Sequence, residues 1–194
     1  MKSRILFRLT LVFYGLFLLA FADASANSQA AASVDRKIQH IDANARSAHP
    51  DQKPTVFTEQ EINAYLASSQ IQLPAGVESV KLVGQPGVIN GTARVDFDRV
   101  RAGANSSNPL LSIFSGVHEV VVATHAHGAN GQGYVHVDSV SLDGIDVPNF
   151  VLRLFVEKYL QPRYPQIGID SRFNLPDRID SAIVGEHEMT VRQK

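Results

Sequence analysis

Seven histidines and no cysteine set the terms on which this 194-residue chain could do chemistry. His125 and His127 stand two apart in an alternating stretch, so they share one face of a strand. A hairpin loop centred on Asn130-Gly131 would place His136 across from His125 and Tyr134 across from His127. Three imidazoles on adjacent strands could hold zinc with a fourth position open for water, the arrangement of a zinc-dependent enzyme. Metal-bound imidazoles also need acceptors behind them, and Asp138, expected opposite Ala123 on the same face, is the one carboxylate nearby on these two strands. The simpler reading is that this face is polar because it is wet, with Val120, Val122, Ala126, Val135 and Val137 on the dry side. The simpler reading is preferred, so no metal ligand, cofactor or catalytic residue is assigned.

Other reactive patterns are missing. The chain has no Gly-x-Ser-x-Gly elbow, no phosphate-cradling glycine loop and no His-Glu-x-x-His pair, and a cysteine nucleophile is impossible. Asp96 and Asp98 are expected to share a strand face and could be read as paired acids, but alternating charge on a wet face is the commoner cause and is preferred.

The apolar residues are more informative. Pro109 to Gly116 forms a short greasy element, with Pro109 suited to a helical first turn. Asn149 to about Gln161 reads as the most hydrophobic helix, which must be wrapped on most sides and which Pro162 and Pro165 stop. Together they offer more bulky apolar surface than one sheet face needs. Ordinary core packing would absorb it; the functional alternative is a groove between sheet and helix that holds an acyl chain or similar apolar ligand. The candidate lining is Leu110, Leu111, Ile113, Phe114, Val151, Leu154 and Phe155, with Pro109 to Gly116 as the mouth.

These residues need a scaffold, and the periodicity supplies one. Val34, Ile38, Ile41 and Ala45 recur at helical spacing over 33–46, a thin stripe that predicts a peripheral lead-in helix. His49 to Pro54 reads as a linker. Thr58 and Glu61 form a capping box, with Phe57 and Ile62 at the hydrophobic-staple positions, so a helix is expected from Thr58 to about Ser68. Thereafter the period changes to two. Strands are expected over 77–83, 88–100, 118–127 and 134–142, with a last sheet segment from Ile179 to Val191, and Gln85-Pro86-Gly87 turning between the first two. Val77-Glu78-Ser79, Val137-Asp138-Ser139 and Ile179-Asp180-Ser181 repeat one pattern, the first and last each preceded by Leu-Pro, and read as equivalent strand starts.

The front of the chain reads as an address. Lys2, Arg4 and Arg8 precede a charge-free, mostly apolar run from Leu9 to Ala22, and Ala24-Ser25-Ala26 follows, the three parts of a cleavable signal peptide. The run is shorter than the roughly 20 residues a helix needs to cross the bilayer core, which favours cleavage after Ala26 over retention as an anchor. Removal of residues 1–26 takes Lys2, Arg4, Arg8 and Asp23 with it, a net +2, so the charge moves from −1 to −3. With no basic cluster left, nucleic acid is a poor partner. The organisation expected is a signal peptide over 1–26, a lead-in helix and linker over 27–54 and a single α+β domain over 55–194, periplasmic or secreted.

Thr58-Glu-Gln-Glu-Ile-Asn-Ala-Tyr-Leu66 resembles the opening helix of several exported bacterial families, and the Leu-Pro strand starts at Leu73 and Leu175 and the Gly144-Ile-x-Val-Pro148 turn are similar to the same group. The resemblance, over roughly residues 55–193, is to the TULIP-type (tubular lipid-binding) superfamily. It implies a long twisted antiparallel sheet wrapping one or two helices, here those from Thr58 and Asn149, around an apolar tunnel. It also implies a non-catalytic envelope protein whose partner is a lipid or other apolar small molecule, with membrane contact. If the protein's own side chains fill the groove, an exposed sheet edge docking another envelope protein becomes the alternative.

Overall fold

The computed structural model describes the backbone of residues 3–103, 115–161, 165 and 168–194, and side chains from residue 25 onward apart from 103, 159 and 160. Helix α1 spans Ser3–Arg46 and is followed by strand β1 (Thr55–Thr58) and helix α2 (Glu59–Leu66). Strands β2 (Val77–Gln85) and β3 (Val88–Asp96) lead into helix α3 (Phe97–Gly103). Strands β4 (Val117–Ala129), β5 (Gln132–Leu142) and β6 (Ile145–Asp146) precede helix α4 (Asn149–Phe155), which continues as a π-helical turn over Val156–Leu160. Strands β7 (Asp170–Asn174), β8 (Ile179–Gly185) and β9 (Glu188–Gln193) complete the chain.

Among the described residues, nine strands form one antiparallel sheet with the main order β1-β9-β8-β4-β3-β2, while β5 pairs with β4, β6 and β7. The fold is therefore α+β, with an open sheet and helices against it. Strand β4 organises it. One edge pairs first with β3, from Val117 to His125, and then with β8 at His127 and Gly128, while the other edge carries β5. The β2–β3 and β8–β9 hairpins consequently meet turn to turn, with Gly87 N–H donating to Val184 O and His187 N–H to Gly84 O, both at 3.0 Å.

The repeated Val/Ile-acid-Ser pattern has a structural meaning. In β2, β5 and β8 the pairing register slips at the acidic residue, Glu78, Asp138 and Asp180, so each is the extra residue of a β-bulge. Each bulged acid faces a base: Arg94 at 3.6 Å, His125 at 2.8 Å and Lys194 at 3.4 Å, respectively. The two Leu-Pro starts also match, since Val77 N–H donates to Pro74 O and Ile179 N–H to Pro176 O, each at 2.9 Å.

Several expected boundaries move. The strand predicted over 88–100 ends at Asp96, because the Asp96 carboxylate accepts from the N–H groups of Asp98 (2.9 Å) and Arg99 (3.2 Å) and so starts α3. Asp96 and Asp98 therefore do not share a strand face. Between the predicted linker, which ends at Pro54, and α2, Thr55–Thr58 forms β1, an unpredicted strand paired with β9. Helix α2 has both halves of its capping box, and Phe57 and Ile62 join one cluster.

That cluster corrects the expectation for the segment 33–46. Val34 and Ile41 of α1 are buried with Phe57 and Val191, and Ile62, Tyr65, Ile179, Ala182 and Met189 pack around them. The thin stripe is sufficient because its polar neighbours are bonded as well. Ser33 Oγ and Lys37 Nζ donate to the Glu61 carboxylate at 2.7 and 2.6 Å, and buried Asn44 bonds to Asp51 N–H, Asp51 O and Gln193 Oε1 at 2.6, 2.8 and 2.9 Å. The helix from Asn149 is the reverse case. Expected to be wrapped on most sides, it has no buried residue over Asn149–Phe155 and buries Val156 of the π-helical turn, while α1 and α2 share the main cluster with the sheet.

Candidate functional site

The imidazole face forms with the expected pairing: His125 stands opposite His136 and His127 opposite Tyr134. The Asn130-Gly131 turn that sets this register has φ of 55° and 76°, the left-handed pair that a tight hairpin requires. Strand β7, which sequence patterning missed, extends the array by placing Asp170 beside His136 and Arg172 beside Tyr134. His127 stacks on Tyr134 with centroids 4.9 Å apart, and the Arg172 guanidinium lies 5.5 Å from the same ring.

Asp138 is not opposite Ala123, as strict alternation implies, but in the bulge, where both carboxylate oxygens lie 2.8 Å from His125 Nδ1. His136 Nδ1 lies 2.6 Å from Asp170 Oδ1, and its Nε2 is 3.9 Å from Asp138 Oδ1. The imidazoles are thus engaged with carboxylates and a phenol ring. Among the described residues no group of three or more His, Asp or Glu side chains is placed to hold a metal ion.

Two further histidines hold carboxylates at the sheet margins. His118 Nδ1 is 2.5 Å from Asp143 Oδ2 and its Nε2 is 3.1 Å from Ser115 O. The bond to Asp143 raises the His118 pKa above the ordinary imidazole value, and the same bond, with Glu119 N–H, lowers that of Asp143. His187 Nδ1 is 2.7 Å from Glu59 Oε2, which raises His187 and lowers Glu59. Among the described residues Glu61 is the one strongly displaced carboxyl. Partial burial opposes its ionisation, but the bonds from Lys37, Ser33 and Thr58 N–H outweigh burial and bring it to about 2.

The apolar candidates divide. Leu110, Leu111, Ile113 and Phe114 lie outside the described residues. Val151 and Phe155 are half-buried, and Leu154 is 48% exposed. Beside Leu154, Phe150 is 67% exposed and Ile145 of β6 is 74% exposed, neither of them among the residues chosen from sequence. Phe150 and Leu154 are four apart and share one side of α4. A cavity of about 530 Å³ opens elsewhere, between α1 and α2, lined by small and polar residues including Asn27, Ser28, Gln60 and Asn63. Among the described residues no helix is long and apolar enough to cross a membrane.

Comparison with known proteins found no matching family model, no matching curated protein and no matching solved structure.

Proposed function

We propose that this is a non-catalytic, exported envelope protein that binds a lipid or another apolar ligand through the side of α4 that carries Phe150 and Leu154. The observation that carries the reading is the exposure of Phe150 (67%) and Leu154 (48%) on one side of α4, with Ile145 (74%) on the strand that precedes it in the chain, since exposed apolar side chains grouped on one face mark sites of contact with apolar partners. Val151 and Phe155, half-buried on the same helix, are the proposed inner contacts of the ligand. The Lys2-to-Ala26 segment is the export signal, and the Thr58 and Leu-Pro motifs fit the TULIP-type families in which a sheet and helix hold an acyl chain through apolar lining.

The test is extraction of the native protein followed by mass spectrometry of the organic molecules that accompany it. An acyl-chain compound at near-stoichiometric level is expected, and Phe150→Asp or Leu154→Asp should lose it. Folded variants that retain the same compound would overturn the assignment to α4. Native protein free of any organic ligand would overturn the function.

A further inference from the structure

The meeting point of the two hairpins is closed by a ring of three hydrogen bonds. Gly84 N–H donates to Glu59 Oε2 at 3.0 Å, Glu59 N–H donates to His187 O at 2.8 Å, and His187 N–H donates to Gly84 O at 3.0 Å. Each bond joins a different pair of elements: β2 to α2, α2 to the β8–β9 turn, and that turn back to β2. The His187 ring adds a fourth link by placing Nδ1 2.7 Å from the same Glu59 oxygen.

His187 Nε2 lies 3.3 Å from Glu186 Oε1, so each ring nitrogen faces a carboxylate. A protonated imidazole donates from both nitrogens, whereas a neutral one donates from one and points a lone pair at the other carboxylate. A carboxylate at each nitrogen therefore favours the charged form of the ring.

We propose that Glu59 and His187 form a proton-dependent clasp across the seam between the β2–β3 and β8–β9 hairpins, tight when the imidazole is charged and looser when it is neutral. The charged groups around the clasp are Glu59 on α2, Glu186 in the turn and Lys81 on β2, which acts on Glu59. Loss of the proton leaves two carboxylates beside one neutral ring, and the bonds most exposed to that change are those that cross the seam. The chemistry suits an envelope protein whose surroundings vary in pH, and the clasp stands whether or not a lipid binds at α4.

Hydrogen exchange on the full chain, corrected for intrinsic rates, tests the clasp at about pH 5.5 and about pH 8, which bracket the ordinary histidine pKa. The amides of Gly84, Gly87 and His187 should lose protection several-fold at the higher pH relative to amides in the β3–β4 ladder. His187→Asn suits the left-handed backbone at this position, where φ is 54°, and keeps the turn, and should make seam protection independent of pH. Nitrogen chemical shifts of the His187 ring should show both nitrogens protonated at the lower pH. Seam protection that does not change while the ring nitrogens pass from charged to neutral, or a ring neutral at the lower pH, would overturn the proposal.

Discussion

The side-chain amide of Asn63 pairs with both backbone groups of Leu82, donating from Nδ2 to Leu82 O at 2.8 Å and accepting Leu82 N–H on Oδ1 at 2.7 Å. One turn earlier on α2, Glu59 accepts from Gly84 N–H, two residues further along the same strand. Strand β2 is an edge, and an uncovered edge is a template for another chain. Helix α2 closes it with side chains in place of a tenth strand. Asn63→Ala should lower stability by about 1–3 kcal/mol, since it leaves two half-buried backbone groups without partners. Urea unfolding would measure the loss, and light scattering should show self-association that the parent lacks.

The α1–α2 contact predicts the acid limb of the stability profile. Glu61 falls from an ordinary carboxyl value of 4.5 to about 2 in the folded chain, through the bonds from Lys37, Ser33 and Thr58 that outweigh burial. A lowered folded-state pKa contributes stability that is complete above the unfolded value and is lost as pH falls toward the folded one. The urea midpoint should therefore decline between about pH 5 and pH 2, and Lys37→Met should flatten that decline. Because both side chains are largely shielded from solvent, Lys37→Met should also cost on the order of 1–3 kcal/mol at neutral pH.

The histidine pairs at the margins set the alkaline limb. A raised folded-state pKa for His118 gives stability that is complete below its unfolded value and disappears as pH rises through the folded value. Its partner Asp143 is lowered and contributes in the opposite sense, losing its share only in acid. Stability is thus expected to be greatest in mildly acidic solution, between the carboxyl and imidazole ranges. Thermal midpoints across pH should fall above neutrality, and His118→Gln should remove part of that fall.

Gly133 predicts a packing effect. A Cβ there would come within 2.5 Å of the Phe173 ring, which β7 lays across β5 at this point. Gly133→Ala should cost about 1–3 kcal/mol by displacing the ring. Combining it with Phe173→Leu should recover part of the loss, and the double-mutant cycle would show coupling between the two strands.

The sequence showed the elements whose signals are local. The capping box of α2, the Asn130-Gly131 hairpin and the pairing of His125 with His136 all follow from neighbouring residues, and the structure contains each of them. The Val/Ile-acid-Ser repeat was visible as a pattern, but its meaning as a bulge was not, since alternation alone assigns Asp138 to the wrong partner. Strands β1 and β7 were missed because each is short and paired on only one side, so neither needs a strong β pattern. The positions of α1 and α4 were exchanged for a related reason. Apolar content was read as depth, whereas α1 is held by Ser33, Lys37 and Asn44 as much as by its stripe, and α4 keeps Phe150 and Leu154 in solvent. Val151, Leu154 and Phe155 were chosen from their apolar type and spacing; the exposure of Phe150 and Ile145 was not legible, because exposure depends on neighbours far away in the chain.

The docking of α1 on β9 ties events far apart in time during synthesis. Asn44 bonds to Gln193 across 149 residues, and Ile41 O accepts from the same glutamine across 152. Helix α1 can meet α2 early, but the part of its face that seats on β9 must wait for a strand made late, and loop closure over that span is slow. The face of α1 seated on β9 is therefore among the last surfaces of the protein to be covered as the polypeptide is made.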